Sequence, residues 1–162
     1  MSARCSTASA WRCVVAIPAD FTGLSGQAEV AAFEQIAPTV DQAAAITHLT
    51  LMSLLPALVE SDLAEFGRAL TEIGRLVGEC FSPVQGGPYA NPRSTELVES
   101  LLAWGAAGAG QSSWGPTVFG LVANAQEGQQ LVERLQSQLG HPEGGCVRLV
   151  DFDNRGVRVE VG

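Results

Sequence analysis

The clearest pattern in the sequence is a helical repeat of apolar positions between residues 62 and 80. Asp62 stands three residues before Glu65, the spacing with which a side chain caps a helix N-terminus. One face of this segment carries Leu63, Phe66, Leu70, Ile73, Val77 and Phe81. Gly67, Gly74 and Gly78 lower its helix propensity, so we expect them to permit close packing. The pattern predicts a helix from residue 62 to about residue 80.

Two further helices are predicted before this one. Residues 27–36 allow a short helix that ends before Pro38. A longer helix is predicted from near Asp41 to residue 60, where the sequence is apolar almost all round. Such a segment suits a helix that is buried on several sides. Pro56 lies inside it and is expected to kink or break it.

Two helices with capping signals follow. Asn91 before Pro92 is typical of a helix start, and this helix is predicted to continue to Gly105. Its expected buried face consists of Leu97, Val98, Leu101 and Leu102. Asn124, three residues before a glutamate, begins another predicted helix, which Gly140 ends.

Strand patterns occupy the two ends of the chain and one central stretch. Residues 11–18 are rich in β-branched and apolar residues and stop at a proline. Residues 117–123, "TVFGLVA", have the same character. Residues 146–152 and 157–161 flank "DNRG", and the second of them alternates valine with charged residues, as a half-buried hairpin strand does.

The predicted order is strand, helices, glycine-rich turn and strand, helix, hairpin. Strands separated by helices on one face of a mixed sheet indicate an α+β fold with two layers, close to the split βαβ or ferredoxin-like arrangement. The sequence has no internal repeat and no linker that divides it. A chain of 162 residues that is 46% hydrophobic can bury one core without disulfides or metals.

Charge narrows the classes of partner. The formal net charge is -8, and all nine basic residues are arginines that form no run or stripe. Nucleic acid is therefore not an expected partner. An anionic small molecule would have to be held by local donors, because the overall field repels it. Backbone N–H groups are the natural donors.

The cysteines and the N-terminus suggest a cytoplasmic protein. The chain has four widely spaced cysteines, Cys5, Cys13, Cys80 and Cys146. They form no CxxC motif, so the sequence predicts neither a zinc site nor a redox pair. Reduced thiols in a cytosol fit this spacing. The first ten residues lack the apolar centre of a signal peptide, and no uninterrupted apolar run is long enough to span a bilayer. We expect no metal site and no membrane partner.

The stretch "GAGQSSWGPTVFG", residues 108–120, admits two interpretations. In the first, Gly105, Gly108 and Gly110 leave backbone N–H groups free to converge on a phosphate, beside the hydroxyls of Ser112 and Ser113. The Trp114 ring would offer a stacking face, and the Gln111 amide could both donate and accept. In the second, the stretch is a plain glycine-rich hairpin whose tryptophan fills the core. Composition alone favours the second.

No catalytic set can be assembled from the other polar residues. The loop "QGGPY", residues 85–89, resembles the first stretch in character, and a plain turn with Tyr89 on the surface is its simpler interpretation. His48 is expected to be a core imidazole with its hydrogen bonds satisfied, and His141 a solvated loop residue. No residue pattern in the sequence indicates a catalytic acid, base or nucleophile.

The same stretches carry a family resemblance. The segments "LMSLLPALVESDLAEFGRALTEIG", "QGGPYANP", "GAAGAGQSSWGPTVFGLV" and "FDNRGVRVEV" together resemble the C-terminal half of the β-ribofuranosylaminobenzene 5′-phosphate synthases, which are members of the GHMP kinase superfamily. "WRCVVAIP" and "GLSGQAEVAAF" extend the resemblance to nearly everything from Trp11 onward. "GQSSWGPTVFG" is its most specific part.

The resemblance implies a fold of the GHMP kinase type and a transferase reaction. Such synthases join the ribosyl phosphate of phosphoribosyl pyrophosphate to a hydroxy- or aminobenzoate, with loss of pyrophosphate and carbon dioxide, on the route to tetrahydromethanopterin. Mg²⁺ is expected with the pyrophosphate. The substrate-binding residues that the resemblance implies are Gly108, Gly110, Gln111, Ser112, Ser113 and Trp114, followed by Gln85, Gly86 and Gly87.

One departure from the family pattern limits this expectation. Superfamily members carry their main phosphate loop in an N-terminal domain, and nothing similar occurs in this sequence. Residues 1–10 match nothing, and residues 11–162 resemble the second domain alone. We therefore expect no turnover without the N-terminal half, which either is a separate chain or lies upstream of Met1. We also expect an exposed apolar surface that favours homodimers. The alternatives are a non-catalytic ligand-binding or assembly module and, with less support, a small-molecule kinase.

Overall fold

A computed structural model describes residues 8, 10–140, 142–155, 157 and 159 of the chain. Four strands form one sheet: β1 (Arg12–Pro18), β2 (Gly108–Gln111), β3 (Val118–Val122) and β4 (Gly145–Asp151). The α-helices are α1 (Gln27–Phe33), α2 (Val40–Leu49), α3 (Leu55–Glu60), α4 (Leu63–Gln85), α5 (Pro92–Ala103) and α6 (Ala125–Leu139). A π-helical turn, Thr50–Leu54, joins α2 to α3.

The sheet has the strand order β2-β3-β1-β4, and every neighbouring pair is antiparallel. This order arises when two strand-helix-strand units interleave, so that the first strand of the chain lies between the two last ones. The predicted α+β class with a split βαβ arrangement is confirmed, but the described sheet is antiparallel and not mixed as expected.

The main core lies between one face of the sheet and helices α5 and α6. Strand β1 directs the fully buried Val14 and Ala16 toward this core, and β3 contributes Val118 and Val122. From the helices come Leu97, Val98, Leu101, Leu131, Val132, Leu135 and Leu139. The predicted caps of both helices form, since the side chains of Asn91 and Asn124 each accept a hydrogen bond from a first-turn N–H. Leu102 is exposed, contrary to expectation.

Helix α4 extends beyond its predicted end. It begins at the expected cap, Asp62, but continues through Pro83 to Gln85. Proline has no N–H, so the carbonyl of Glu79, four residues earlier, loses its helical donor. The hydroxyl of Ser82 supplies a replacement at 2.8 Å. Gly86 then ends the helix in a left-handed conformation, with φ at 81°.

Strand β2 was not predicted, because Gly108–Gln111 was expected to be part of a turn. A Cβ on Gly108 would lie 2.3 Å from the carbonyl oxygen of Gly67, and a Cβ on Gly67 would lie 2.2 Å from that of Ala107. The two glycines therefore allow α4 and β2 to meet backbone to backbone. The Ala109 N–H, which points away from β3, donates to the Thr71 hydroxyl at 2.9 Å. Helix α4 thus covers the edge of the sheet.

The glycines of α4 serve two different purposes. Gly67 and Gly78 permit close packing as predicted, since a Cβ on Gly78 would lie 1.9 Å from the carbonyl oxygen of Pro88. Gly74 does not, because an added Cβ there would meet nothing within 4 Å. Open space therefore lies in front of the middle of the helix.

The apolar segment from Val40 to Glu60 is helical but not buried, which corrects the expectation of burial on several sides. Val40 is 86% exposed, Met52 65% and Val59 71%, and Ala57 is the buried member of α3. The π-helical turn lies directly before Pro56, and Leu55 N–H donates to Thr50 O in it. This distortion accommodates the proline without ending the helix. The segment packs on α4 along one side.

The C-terminal hairpin is described only in part. Its first strand is β4, as expected, and Val157 and Val159 are exposed. Gly156, Arg158, Glu160 and Val161 lie outside the described residues, as do Cys5 and His141. The half-buried valine face predicted for the second strand is therefore not found at Val157 and Val159, and its other positions lie outside the described residues.

The contact between α4 and β2 can be tested by adding a single methyl group. We expect Gly67→Ala to lower the free energy of unfolding by about 1–3 kcal/mol or more, because a Cβ cannot fit against Ala107 and backbone atoms must move. Gly74→Ala in the same helix is the matched control. It should raise stability by about 0.5–1 kcal/mol, because alanine favours the helix and the added methyl meets open space. Denaturant unfolding of both variants measures this, and equal stability of the two would contradict the contact.

Candidate functional site

The two candidate loops lie side by side and one side chain joins them. The Gln111 Oε1 atom, at the end of β2, accepts a hydrogen bond of 2.7 Å from the Ala90 N–H. Its Nε2 atom donates to the Ser113 carbonyl oxygen at 2.9 Å. Gln111 was predicted to contact substrate. In this structure both ends of its amide fix the loop at residues 86–91 to the turn at residues 112–117.

The turn after β2 presents two serines to solvent. Ser112 N–H donates to Thr117 O at 2.9 Å, and Gly115 N–H donates to Ser112 O at 3.0 Å, so the turn closes on itself. Ser112 and Ser113 are both exposed. Ser113 has a φ of 51°, in the left-handed region that residues other than glycine seldom occupy. Its hydroxyl is thus held on a constrained backbone at the edge of the site.

The predicted phosphate cradle does not form from the glycines of β2. Gly108 is buried against α4, and Gly110 lies with its Cα facing the Phe119 ring, which a Cβ would approach to 3.1 Å. Both residues pair with β3 in the sheet. Gly108 therefore permits packing against α4, and Gly110 permits packing against the Phe119 ring. The accessible part of this stretch is the pair of exposed serines, Ser112 and Ser113.

Trp114 packs beneath the turn. It is 4% exposed, and its ring stacks on Phe81 with centroids 4.7 Å apart and planes at 25°. Phe33 meets the same tryptophan edge-on at 5.5 Å. A three-ring cluster therefore supports the turn from below. The tryptophan thus fills the core beneath a glycine-rich hairpin, which was the second interpretation of this stretch. Its ring has no face free to stack on a ligand.

The loop after α4 is held by Gln85. Its Nε2 atom donates to Gly87 O at 2.9 Å and to Gly78 O at 3.4 Å. Its Oε1 atom is buried and has no hydrogen-bond partner in the described part of the chain. Gly86 is exposed and a Cβ there would meet nothing within 4 Å, whereas Gly87 is half-buried and a Cβ there would lie 4.0 Å from the Tyr89 carbonyl oxygen.

A cavity of about 410 Å³ lies on the outer side of this loop, against the start of α5. Its lining includes Glu96 and Glu99. Hydrogen bonds from Gln138 and Arg93 lower the pKa of Glu96, which stays ionised at neutral pH. Two carboxylates in one wall make this cavity a poor site for a phosphate group.

A second cavity, of about 210 Å³, lies on the inner side, between α4 and the serine turn. Its walls are mostly carbon: Leu70, Ile73, Val77, Phe81, Pro88 and Phe119. Gln85, Tyr89 and Ser113 also line it. Burial raises the pKa of Tyr89, so its phenol is neutral and can donate a hydrogen bond. We call this space the inner cavity.

The remaining reactive groups do not form a catalytic centre. Burial raises the pKa of the Cys13 thiol to about 11, which leaves it un-ionised and a poor nucleophile at neutral pH. His48 is exposed on α2, contrary to the expectation of a core imidazole. Among the described residues, no group of three or more histidine, cysteine or acidic side chains could hold a metal ion.

Sequence reasoning missed the residues that shape the inner cavity. Gly74 and Phe119 were assigned to helix and strand packing alone, and nothing in their local pattern indicates a void. Nothing in the sequence indicated that the Thr71 hydroxyl accepts a hydrogen bond from the Ala109 N–H of β2. The one available hint was the three-glycine spacing of α4, which places two glycines against backbone and leaves the middle one free.

Comparison with protein families identifies the fold. Residues 54–141 match the family model described as GHMP kinases C terminal. The chain is 36% identical over 154 residues to the β-ribofuranosylphenol 5′-phosphate synthase of Archaeoglobus fulgidus, covering 93% of this chain and 45% of that protein. It is 32% identical over 110 residues to the synthase of the same name from Methanothermobacter thermautotrophicus, covering 67% of this chain and 32% of that protein. The chain thus spans less than half the length of these curated relatives.

Solved structures share the same architecture at low sequence identity. The mevalonate kinase of L. major, in complex with R-mevalonate, superimposes with a TM-score of 0.65 at 17% identity, over 90% of this chain and 44% of that one. The homoserine kinase of Cytophaga hutchinsonii does so with a TM-score of 0.61 at 18% identity, over 88% and 42%. At these identities the likeness establishes the fold alone.

The bridge made by Gln111 can be tested by Gln111→Met, which keeps the side-chain length and removes both hydrogen bonds. We expect the free energy of unfolding to fall by about 1–3 kcal/mol, because the Ala90 N–H loses its acceptor. The Ala90 amide should also exchange with solvent faster. Gln126→Met, at an exposed position of α6, is the control and should change neither quantity. Unchanged exchange at Ala90 in the Gln111 variant would contradict the bridge.

Proposed function

The chain belongs to the family of GHMP kinase C-terminal domains, and on that premise we propose that it is the C-terminal half of a synthase of the β-ribofuranosylphenol 5′-phosphate type. The proposed reaction joins the ribosyl phosphate of phosphoribosyl pyrophosphate to a hydroxy- or aminobenzoate and releases pyrophosphate and carbon dioxide. Its product enters tetrahydromethanopterin synthesis. The proposal is supported by the identity to two synthases of that name and by the geometry of the serine turn.

One observation carries the assignment of the site. The exposed hydroxyls of Ser112 and Ser113 lie on a turn that Gln111 fastens to the loop after α4, and the inner cavity opens beside them. A phosphate group and a small apolar group can therefore occupy neighbouring positions. Ser112 and Ser113 would donate to the phosphate oxygens, whereas Gln111 and Trp114 hold the turn in place.

The charges indicate that these residues form one wall of the site. Within the described part of the chain, no arginine lines the outer or the inner cavity. The net charge of -8 opposes the binding of pyrophosphate. A substrate with several negative charges therefore needs cationic or backbone donors from another chain or domain. We assign no acid, base or nucleophile to this chain.

Mg²⁺ remains part of the proposal only as a companion of the pyrophosphate. Magnesium in phosphate sites is held by one or two carboxylates together with substrate oxygens. The described residues offer no cluster of three acidic, histidine or cysteine side chains for it, and Glu96 and Glu99 lie on the far side of the loop from the serine turn. No step is assigned to the ion here.

The exposed apolar helix is the proposed contact for the missing half. The segment Val40–Glu60 is 21 residues long, with a mean hydropathy of 1.5 in its most apolar window. A helix long and apolar enough to cross a membrane is therefore present, which corrects the expectation from the sequence, but length and composition are weak support for a span. The kinase-like fold suggests a soluble protein. We propose that the chain is cytoplasmic and that an N-terminal domain, or a second copy in its absence, covers this helix.

Two other functions have less support. A non-catalytic binding or assembly module would use the same fold and the inner cavity without turnover. A small-molecule kinase would need the nucleotide loop, which the sequence does not contain. The experiment that separates synthase from module is a reconstitution.

We expect the chain alone to release no pyrophosphate from phosphoribosyl pyrophosphate and 4-hydroxybenzoate. Adding the N-terminal half of one of the synthases it resembles should restore release, because the two halves together complete the site. In that mixture Ser112→Ala should raise the KM for phosphoribosyl pyrophosphate about tenfold, through the loss of one hydrogen bond to a charged group. Ser137→Ala, exposed on α6, is the control. Turnover by the chain alone would contradict the half-site, and inactivity of every mixture would favour the module.

We expect the double variant Met52→Glu and Val59→Glu to lower association of the chain with itself and with the added N-terminal half. The two side chains lie two helical turns apart and are exposed, so carboxylates there make burial of this face costly. Gln126→Glu with Gln130→Glu adds the same charge to α6 as a control. Sedimentation velocity measures the association. Binding to phosphatidylglycerol vesicles, with no association between chains, would contradict a protein partner.

A further inference from the structure

We infer that the inner cavity is the subsite for the aromatic acceptor and that it selects a single ring carrying a hydroxyl or amino group. The ligand's identity rests on the proposed function. The inference adds the place where the ring binds and the group that recognises its substituent.

The size and lining of the inner cavity fit one aromatic ring. Its volume is about 210 Å³, and cavities on the order of 150 Å³ lined by aliphatic and aromatic side chains accept benzene. Leu70, Ile73 and Val77 come from one face of α4, and Phe119 comes from the sheet. A ring that enters loses its contact with water on both faces, which is the main favourable term for binding an apolar group.

Gly74 keeps this space open. It lies between Ile73 and Val77 on α4, and an added Cβ would meet nothing within 4 Å. A glycine in a helix interior costs stability relative to alanine. Gly67 and Gly78 each offset that cost by a close backbone contact, and Gly74 has none. The absence of a side chain at position 74 therefore keeps the inner cavity open.

Gln85 lines both the outer and the inner cavity, and we assign its unpartnered amide oxygen to the inner one, where it would favour a hydrogen-bond donor. Its Nε2 atom is committed to Gly87 O and Gly78 O, which fixes the orientation of the amide. Its Oε1 atom is a buried acceptor with no partner among the described residues. A buried acceptor without a donor is unfavourable, and a ligand that supplies an O–H or N–H group relieves this. Hydroxybenzoates and aminobenzoates both carry such a group, whereas a methyl substituent does not.

The cavity also lies where a ribosyl phosphate could be joined to the ring. Ser113 lines the inner cavity and belongs to the exposed turn proposed for the phosphate. None of the described arginines lines the inner cavity. The ring's carboxylate would therefore lie at the open side, toward Ser113, with the donor substituent directed inward toward Gln85.

The test is a titration of the 162-residue chain with 4-hydroxybenzoate, followed by the methyl NMR signals of Leu70, Ile73 and Val77. We expect saturable shifts at these methyls. Gly74→Leu should weaken binding about tenfold or more, because the leucine side chain occupies the ring's space. Gly74→Ala should stay within about threefold of the unaltered chain. Ala64→Leu places the same side chain at an exposed position of α4 and should have no effect.

Folding is followed by thermal unfolding, and Gly74→Leu should unfold no earlier than the parent, because leucine favours the helix. We also expect 4-methylbenzoate to bind about fivefold or more weakly than 4-hydroxybenzoate, because it brings no donor to Gln85. Shifts confined to other residues, or a folded Gly74→Leu chain that binds as the parent does, would overturn the subsite. Equal binding of the two benzoates would overturn the role of Gln85.

Failure of the proposed function gives a different result. If every reconstituted mixture is inactive but the ring still binds at these methyls, the synthase proposal fails and the cavity assignment stands. If a mixture is active and Gly74→Leu leaves the KM for 4-hydroxybenzoate unchanged, the cavity assignment fails and the synthase proposal stands.

Discussion

The contact between helix α4 and strand β2 determines where every part of the candidate site lies. Gly67 and Gly108 let the two backbones approach to a distance that no side chain would allow. The Ala109 N–H, which an edge strand would otherwise present to solvent or to another chain, donates to Thr71 instead. Helix α4 is therefore held along the sheet edge over its first turns, and its direction from there is fixed.

That direction explains both the cavity and the turn. Farther along α4, Gly78 lies against the Pro88 carbonyl and Phe81 stacks on Trp114, so the helix is held again by the loop and by the aromatic cluster. Between these two attachments, a Cβ added to Gly74 would meet nothing within 4 Å, and the inner cavity lies there. Gln111 then fixes the serine turn to the loop at Ala90. Contacts of α4 on each side thus bound the inner cavity, and the cavity stays open without a ligand.

The sequence predicted the regular part of this architecture and not the part that depends on close approach. Helices α4, α5 and α6 were predictable because Asp62, Asn91 and Asn124 mark their starts and apolar spacing marks their faces. Strand β2 was not, because glycine has low strand propensity and Gly108 is needed for a neighbour distant in sequence. An exposed apolar surface was expected, but its location on Val40–Glu60 was not, since an apolar pattern shows what a face prefers and not whether a partner is present. Gln111 and Trp114 support the turn through Ala90 and Phe81, which are distant in sequence, so the local pattern could not reveal these contacts.

In the proposed division of the site, this chain supplies apolar walls and hydroxyls, and no arginine of its described residues lines the outer or the inner cavity. A charge of -8 spread over a chain of this size keeps it soluble but repels a diphosphate. In the proposed site, the serine hydroxyls and the neutral Tyr89 phenol would orient a phosphate and a ring without adding a charge of their own. If the cationic donors come from the other half, the complete binding site forms only when the exposed face of Val40–Glu60 is covered. Burial of that face and capture of the diphosphate would then favour each other, because each lowers the cost of the other.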